Sequence, residues 1–152
     1  MDTPTVPKVQ ARRRLAVLWF VIGGLATAML LRAHGAPDEA EYWKWFSPYA
    51  LPLAMLMIGA LQADETAAEG NHTSRFYFRL CWGLLLFYGL YLLGSLVVGF
   101  NTSGESDPHA MLKSLQASSL PLTAVQGVLN LALGAFFVKS SAKPVAPAKE
   151  ST

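Results

Sequence analysis

Four uncharged apolar stretches alternate with polar segments along this chain of 152 residues and fill just over half of it. None contains Asp, Glu, Lys, Arg or His, and they cover residues 15–31, 46–61, 80–100 and 115–138. A helix needs about 20 apolar residues to cross about 30 Å of hydrocarbon. The pattern therefore predicts an all-α integral membrane protein, a bundle of four transmembrane helices with short loops, whose spans cover about residues 15–31, 46–62, 76–100 and 115–138.

Composition supports the same class. Hydrophobic residues make up 53% of the chain and charged residues only 14%, well below the usual quarter for a soluble domain. A soluble protein of this size needs more charge to cover its surface. The single cysteine, Cys81, excludes an internal disulfide and provides no zinc-type spacing.

The distribution of basic residues predicts an orientation. If all four stretches cross, nine Lys and Arg residues lie on the side of the termini and three on the other side. Basic residues accumulate on the cytoplasmic side of membrane proteins. We therefore expect a multi-pass protein of a bacterial-type cell inner membrane. It would have a basic cytoplasmic tail over residues 1–14, a transmembrane domain over 15–138 and a disordered cytoplasmic tail over 139–152.

Two stretches leave alternatives open. Residues 15–31 follow three arginines and resemble a signal-peptide core, although they are longer than the usual 7–15 residues. Residues 46–62 are short and carry Pro48 and Pro52 near their start, which is also compatible with a re-entrant hairpin. We favour a retained first helix and a complete second crossing, because a hairpin would place the C-terminal lysines outside.

Short signals between the spans predict local structure. Residues 1–10 lack apolar periodicity, so we expect them to be mobile. The second helix should extend through residues 62–69, which are rich in Ala and Glu, and Ser74 is a plausible cap for the third. An aromatic group precedes the second apolar stretch and is typical of an interfacial belt, with a ligand cage as the alternative: Tyr42, Trp43, Trp45, Phe46 and Tyr49.

The fourth span carries a continuous polar face. Its members recur at intervals of three and four residues, which places them within an arc of about 80° on a helix; they are Gln116, Ser119, Thr123, Gln126 and Asn130. Amides exposed to lipid are costly by several kcal/mol. This face must therefore contact protein or water. Pro121 should kink the same helix, because it frees the carbonyl of Ala117, and Ser118 and Ser119 could re-satisfy the backbone.

Three interpretations of this polar face compete. The first is packing within the chain or against another subunit, where each interhelical hydrogen bond adds about 0.6 kcal/mol. The second is a water-filled path or a polar solute site. The third is a catalytic site, which the residue types disfavour because none is a good acid, base or nucleophile on its own. The third span offers two tyrosines that need partners, so we expect Tyr88 or Tyr91 to lie against Gln126 or Thr123.

Other chemistry is sparse. The spans contain no ionisable acid or base for proton coupling, and the chain has no phosphate-binding glycine loop, which argues against pumps. Imidazoles and carboxylates in the two outer loops form the one candidate metal set, although their spacing matches no tight motif: His34, Asp38, Glu39, Glu41, Glu105, Asp107 and His109. Solvated loop charges are the ordinary interpretation.

The sequence thus favours a non-enzymatic protein without a cofactor. We expect an accessory or assembly subunit that docks in a larger membrane complex. The alternative is a small oligomeric channel or facilitator for a polar solute, lined by the fourth helix. The expected partners are the lipid bilayer and either other membrane subunits or further copies of this chain, and no nucleic acid.

Overall fold

The computed structural model describes residues 5–36, 38–65, 72–102 and 109–138. Within these ranges the chain forms five helices and two very short strands. In chain order they are β1 (Thr5–Pro7), α1 (Lys8–Leu31), α2 (Glu39–Glu65), β2 (His72–Ser74), α3 (Arg75–Thr102), α4 (Ala110–Ala117) and α5 (Ser119–Val138). The predicted all-α four-helix bundle is confirmed.

Four of the helices are long and apolar enough to cross a membrane. These segments are Val9–Leu31, Glu39–Gln62, Arg75–Thr102 and Ser119–Phe137. Helix α1 packs between α2 and α3, and α3 packs against α5. The contact between α2 and α5 is smaller. The long apolar side chains that remain exposed point away from this packed interior, as expected for surfaces that face lipid.

The N-terminal region is more ordered than its composition predicts. Residues 5–7 pair antiparallel with residues 72–74, with Val6 opposite Thr73. Helix α1 then begins at Lys8, so much of the segment predicted as a basic tail is helical. Ser74 ends β2 directly before α3 begins, in the position expected for a cap. The two-stranded ribbon holds the starts of α1 and α3 side by side at one end of the bundle.

Helix α2 is continuous through both of its prolines. It runs over 27 residues from Glu39 to Glu65, which is long enough to cross a membrane and does not fold back as a re-entrant hairpin. It begins seven residues before the predicted span because Glu39 and Glu41 occupy its first turn, where carboxylates favour the positive helix end. The predicted extension through residues 62–69 is helical as far as Glu65, and its remainder lies outside the described residues.

The fourth span is not a single helix, which corrects the predicted segment 115–138. The chain turns out of α4 at Ser118 and starts α5 at Ser119. Pro121 explains the break, since it has no N–H to donate to the carbonyl of Ala117. The Ser118 hydroxyl donates to the carbonyl of Leu115 at 2.7 Å, and the Ser119 hydroxyl approaches the same carbonyl at 3.4 Å. The serines therefore satisfy the backbone one turn before the break.

Close helix contact between α1 and α3 depends on one glycine. Gly89 is buried, and a Cβ placed on it would lie 2.5 Å from Cδ1 and 2.9 Å from Cγ2 of Ile22. These distances are far shorter than any ordinary carbon contact. Only glycine at this position lets the two helices approach closely, in the manner of small residues at other membrane helix interfaces.

We predict that G89A lowers the thermal unfolding midpoint of the protein in detergent. Overpacking costs about 1–3 kcal/mol, which exceeds the gain of about 1 kcal/mol from removing a helical glycine. G94A is the matched control, because no heavy atom of the described chain lies within 4 Å of a Cβ there. Tryptophan fluorescence during heating should show the difference. An equal midpoint for G89A and G94A would contradict this account of the packing.

Candidate functional site

The polar face of the fourth span lies beside α2, and the structure divides it between covered and open positions. Gln126 is buried, with 8% of its surface exposed, while Ser119 and Asn130 are half-buried. Thr123 and Gln116 are exposed, and Gln116 lies on α4, before the membrane-spanning part. The predicted face therefore has one side against the protein's own α2 and one side away from it.

Gln126 satisfies a backbone carbonyl that the α2 prolines leave open. In a helix, the carbonyl of Pro48 would accept from the N–H four residues later, but that residue is Pro52, which has none. The side-chain amide of Gln126 donates to this carbonyl at 3.0 Å. A carbonyl without a donor is costly inside hydrocarbon. One glutamine therefore replaces the missing hydrogen bond of α2 and joins α5 to it.

Ser119 anchors the start of α5 to two aromatic side chains of α2. The indole N–H of Trp45 donates to the Ser119 hydroxyl at 3.1 Å. The Tyr49 hydroxyl donates to the Ser119 carbonyl at 3.2 Å, and the Thr123 hydroxyl donates to the same carbonyl at 2.9 Å. Trp45 and Tyr49 are themselves buried and stack with ring centroids 5.5 Å apart. They fill the interface between α2 and α5, and they belong to the group that the sequence predicted as an interfacial aromatic belt.

The tyrosines of α3 form hydrogen bonds with backbone groups. Tyr88 is fully buried, and its hydroxyl donates to the carbonyl of Tyr49 at 3.1 Å. Its ring lies 6.1 Å from that of Trp19 on α1. Tyr91 is half-buried, and its carbonyl accepts from Ser95. The polar interior is thus centred on backbone carbonyls of α2, to which α3 and α5 both donate.

These contacts form one polar network in the middle of an apolar bundle. It joins α2, α3 and α5 and consists of hydrogen bonds from Trp45, Tyr49, Tyr88 and Gln126. Leu122 and Leu129 of α5 flank the network and are fully buried. The sequence predicted Gln126 and Tyr88 as members of this site, whereas it assigned Trp45 and Tyr49 to an interfacial belt and gave Pro48 no bonding role. Pro52 inside the helix was the available signal, because a proline leaves the carbonyl four residues before it without its helical donor.

The side chains of this network bond to backbone carbonyls and to one another across helices, an arrangement that holds the helices together. No protein-family model, curated protein or solved structure matches the chain. The function must therefore be argued from the site alone.

Cys81 is buried near the carbonyl of Ala132, with its sulfur 3.7 Å from that oxygen, and it packs between α3 and α5.

Asn130 is the one amide of this face that stays open within the span. It has no hydrogen-bond partner among the described residues, and part of its surface is exposed. It lies eleven residues after the start of α5, or about 16 Å along the helix axis. In a membrane this depth is close to the midplane, where water does not satisfy an amide. Asn130 is thus the position in the span where the polar face lacks a hydrogen-bond partner among the described residues.

The outer-loop residues form pairs and not a cluster. Nδ1 of His34 lies 2.8 Å from a Glu39 carboxylate oxygen, and Nδ1 of His109 lies 2.6 Å from Asp38. Glu41 pairs instead with Lys44. Within the described residues no three His, Cys, Asp or Glu side chains are placed to hold a metal ion, and Glu105 and Asp107 lie outside those residues. The His109 pair connects the loop before α2 to the loop before α4.

A double-mutant cycle tests the proline–glutamine bond. Q126L removes the donor to the Pro48 carbonyl and should destabilise the protein by about 1 kcal/mol. P52A supplies a backbone N–H to the same carbonyl, so Q126L should cost less than half as much in that background. Thermal or denaturant unfolding in detergent measures both effects.

The control for this cycle is S95A, which removes a hydroxyl that bonds only within α3. Its effect should add to that of P52A, as expected for independent sites. If Q126L and P52A were also additive, the carbonyl of Pro48 would not be the group that Gln126 satisfies.

Proposed function

We propose that this protein is a non-enzymatic accessory or assembly subunit, which docks through the open side of α5 against another membrane protein. The observation that carries the proposal is the unpaired carboxamide of Asn130 near the middle of a span. An amide facing lipid loses its hydrogen bonds to water and gains none in return. A polar group on a partner helix removes that cost.

The surroundings of Asn130 favour a helix as the occupant. Gly127 and Gly134 precede and follow it on nearly the same side of α5, and no heavy atom of the described chain lies within 4 Å of a Cβ built on either. Small residues let two helix backbones approach closely, and polar side chains then bond across the contact. Thr123 extends the same surface toward the start of α5. We call the surface formed by Thr123, Gly127, Asn130 and Gly134 the α5 docking face.

The alternative is an oligomeric channel or facilitator lined by this helix. This alternative uses the same polar face, because Gln116, Thr123 and Asn130 form a polar line from α4 to the middle of α5. The part of the polar face that α2 covers argues against a channel. Ser119 and Gln126 already bond to α2, so only part of the polar face remains to contact water or a solute. A solute path would need several copies of the chain around one axis.

The proposed location is the cell inner membrane, with both termini in the cytoplasm. The support is the bias of nine basic residues against three. Arg13, Arg14, Arg75 and Arg79 are exposed at the end where α1 and α3 begin, which is the end assigned to the cytoplasm. Phe76, Tyr77 and Trp82 are exposed near that end, as is typical of an aromatic belt at the membrane surface.

Photo-crosslinking in native membranes tests the docking face. A photoreactive amino acid at position 127 should give one adduct with a different protein, and the same probe at position 25, on an exposed lipid-facing part of α1, should give none. N130L should reduce the yield at position 127 at least fivefold, since it removes the hydrogen-bonding group. S95A, which removes a polar group from α3, should leave the yield unchanged.

The size of the adduct separates the two functions. An adduct of twice the mass of the chain would favour the oligomeric channel. Equal adduct yields at positions 127 and 25, or full yield with N130L, would contradict the docking proposal.

Reporter fusions test the orientation. A green fluorescent protein attached to the C-terminus should fluoresce in bacterial cells, and alkaline phosphatase inserted after residue 104 should be active, because it would lie in an outer loop. The reverse pattern would refute the proposed topology without affecting the fold.

A further inference from the structure

We propose that the outer surface of the α1–α3 contact binds one phospholipid with an anionic headgroup, whose phosphate lies between Arg14 and Arg79. This inference does not depend on the α5 docking face, which lies on another helix. It rests on how the contact between Ile22 and Gly89 orients the two helices that carry these arginines.

The three consecutive arginines of α1 point in different directions. Arg12 is buried, and its guanidinium carbon lies 5.5 Å from the ring centroid of Phe137 on α5. Arg14 precedes Ile22 by eight residues, so it lies about 80° from the line of contact with α3. Arg13 precedes Ile22 by nine residues and lies about 180° away, on the far side of the helix. Only Arg14 is exposed beside α3.

The arginines of α3 face the same seam. Arg79 precedes Gly89 by ten residues and Arg75 by fourteen, which places them about 80° and about 40° from the line of contact with α1. Both are exposed. The ribbon between β1 and β2 holds the starts of α1 and α3 together, so the arginines of both helices lie at one end of one groove.

Arg14 and Arg79 also lie at nearly the same depth. The two helices run in the same direction and are level at the Ile22–Gly89 contact. Arg14 is eight residues from that contact, or about 12 Å along the axis, and Arg79 is ten residues away, or about 15 Å. Two guanidinium groups at one level form a fork for a single phosphate, which arginine binds through paired N–H donors.

The groove below this pair suits an acyl chain. Leu18 and Leu25 of α1 line one side, and Leu86 and Leu90 of α3 line the other; Leu25 and Leu90 are more than half exposed. Trp82 lies between the arginines and these leucines, about 20° from the line of contact, and 41% of it is exposed. An indole at this level is typical of the headgroup boundary.

Among the side chains that the structure describes, no carboxylate pairs with Arg14 or Arg79. The ion pairs found there join His34, Lys44 and His109 to carboxylates at the opposite end of the bundle. The first turns of α1 and α3 contain no acidic residue either. A lipid phosphate at this depth and beside this groove supplies the charge that complements Arg14 and Arg79.

Native mass spectrometry of the whole protein in mild detergent tests this proposal. The probes are phosphatidylglycerol and phosphatidylcholine with identical acyl chains, each added in a titration. We expect one phosphatidylglycerol to bind in preference to phosphatidylcholine. R14Q and R79Q should each weaken phosphatidylglycerol binding about fivefold, the contribution of one basic residue near a charged lipid surface.

R13Q is the matched control, because it removes the same charge from the neighbouring position of the same helix and should leave binding unchanged. R79K keeps the charge and should retain most of the preference, which separates lost binding from lost folding. Equal binding of the two lipids would overturn the proposal. So would an equal loss in R13Q, R14Q and R79Q, which would indicate diffuse attraction by net charge.

Discussion

The hydrogen bond that Pro52 cannot make is the constraint on which the rest of this bundle depends. Because Pro52 has no N–H, the carbonyl of Pro48 must find a donor outside α2, and Gln126 of α5 supplies it at 3.0 Å. Apolar packing alone would allow α5 to rotate or slide, since lipid tails are as apolar as leucine. A directed bond to one carbonyl fixes both the depth and the rotation of α5 against α2.

The neighbouring contacts follow from that arrangement. Once α5 is fixed, Ser119 lies opposite Trp45 and Tyr49, whose rings fill the wider space between α2 and α5. The next carbonyl of α2, that of Tyr49, accepts from Tyr88 of α3, so two consecutive carbonyls of one helix bind two different helices. The same rotation leaves Asn130 on the open side of α5, half-buried and without a hydrogen-bond partner among the described residues.

The sequence was sufficient for the helices and the polar face, but not for what that face contacts. Apolar length and the absence of charge predicted the four long apolar helices, and where Pro121 predicted a kink the helix is interrupted at Ser118. Periodicity identifies residues on one side of a helix without saying which neighbour that side meets. Tyr88 and Gln126 both donate to backbone carbonyls of α2, and such partners leave no trace in side-chain patterns. The pairing of β1 with β2 joins three-residue segments far apart in the chain, and no local signal marks it.

The interruption at Ser118 has a mechanical consequence. On one side of it, Met111 and Leu115 of α4 pack within 3.5 Å of a Cβ position on Gly99 of α3. On the other side, α5 is bonded to α2 through Ser119 and Gln126. The predicted fourth segment is therefore two helices joined at one residue, and both of them also contact α3. Any change in the angle between α4 and α5 becomes a change in the backbone torsion angles of Ser118.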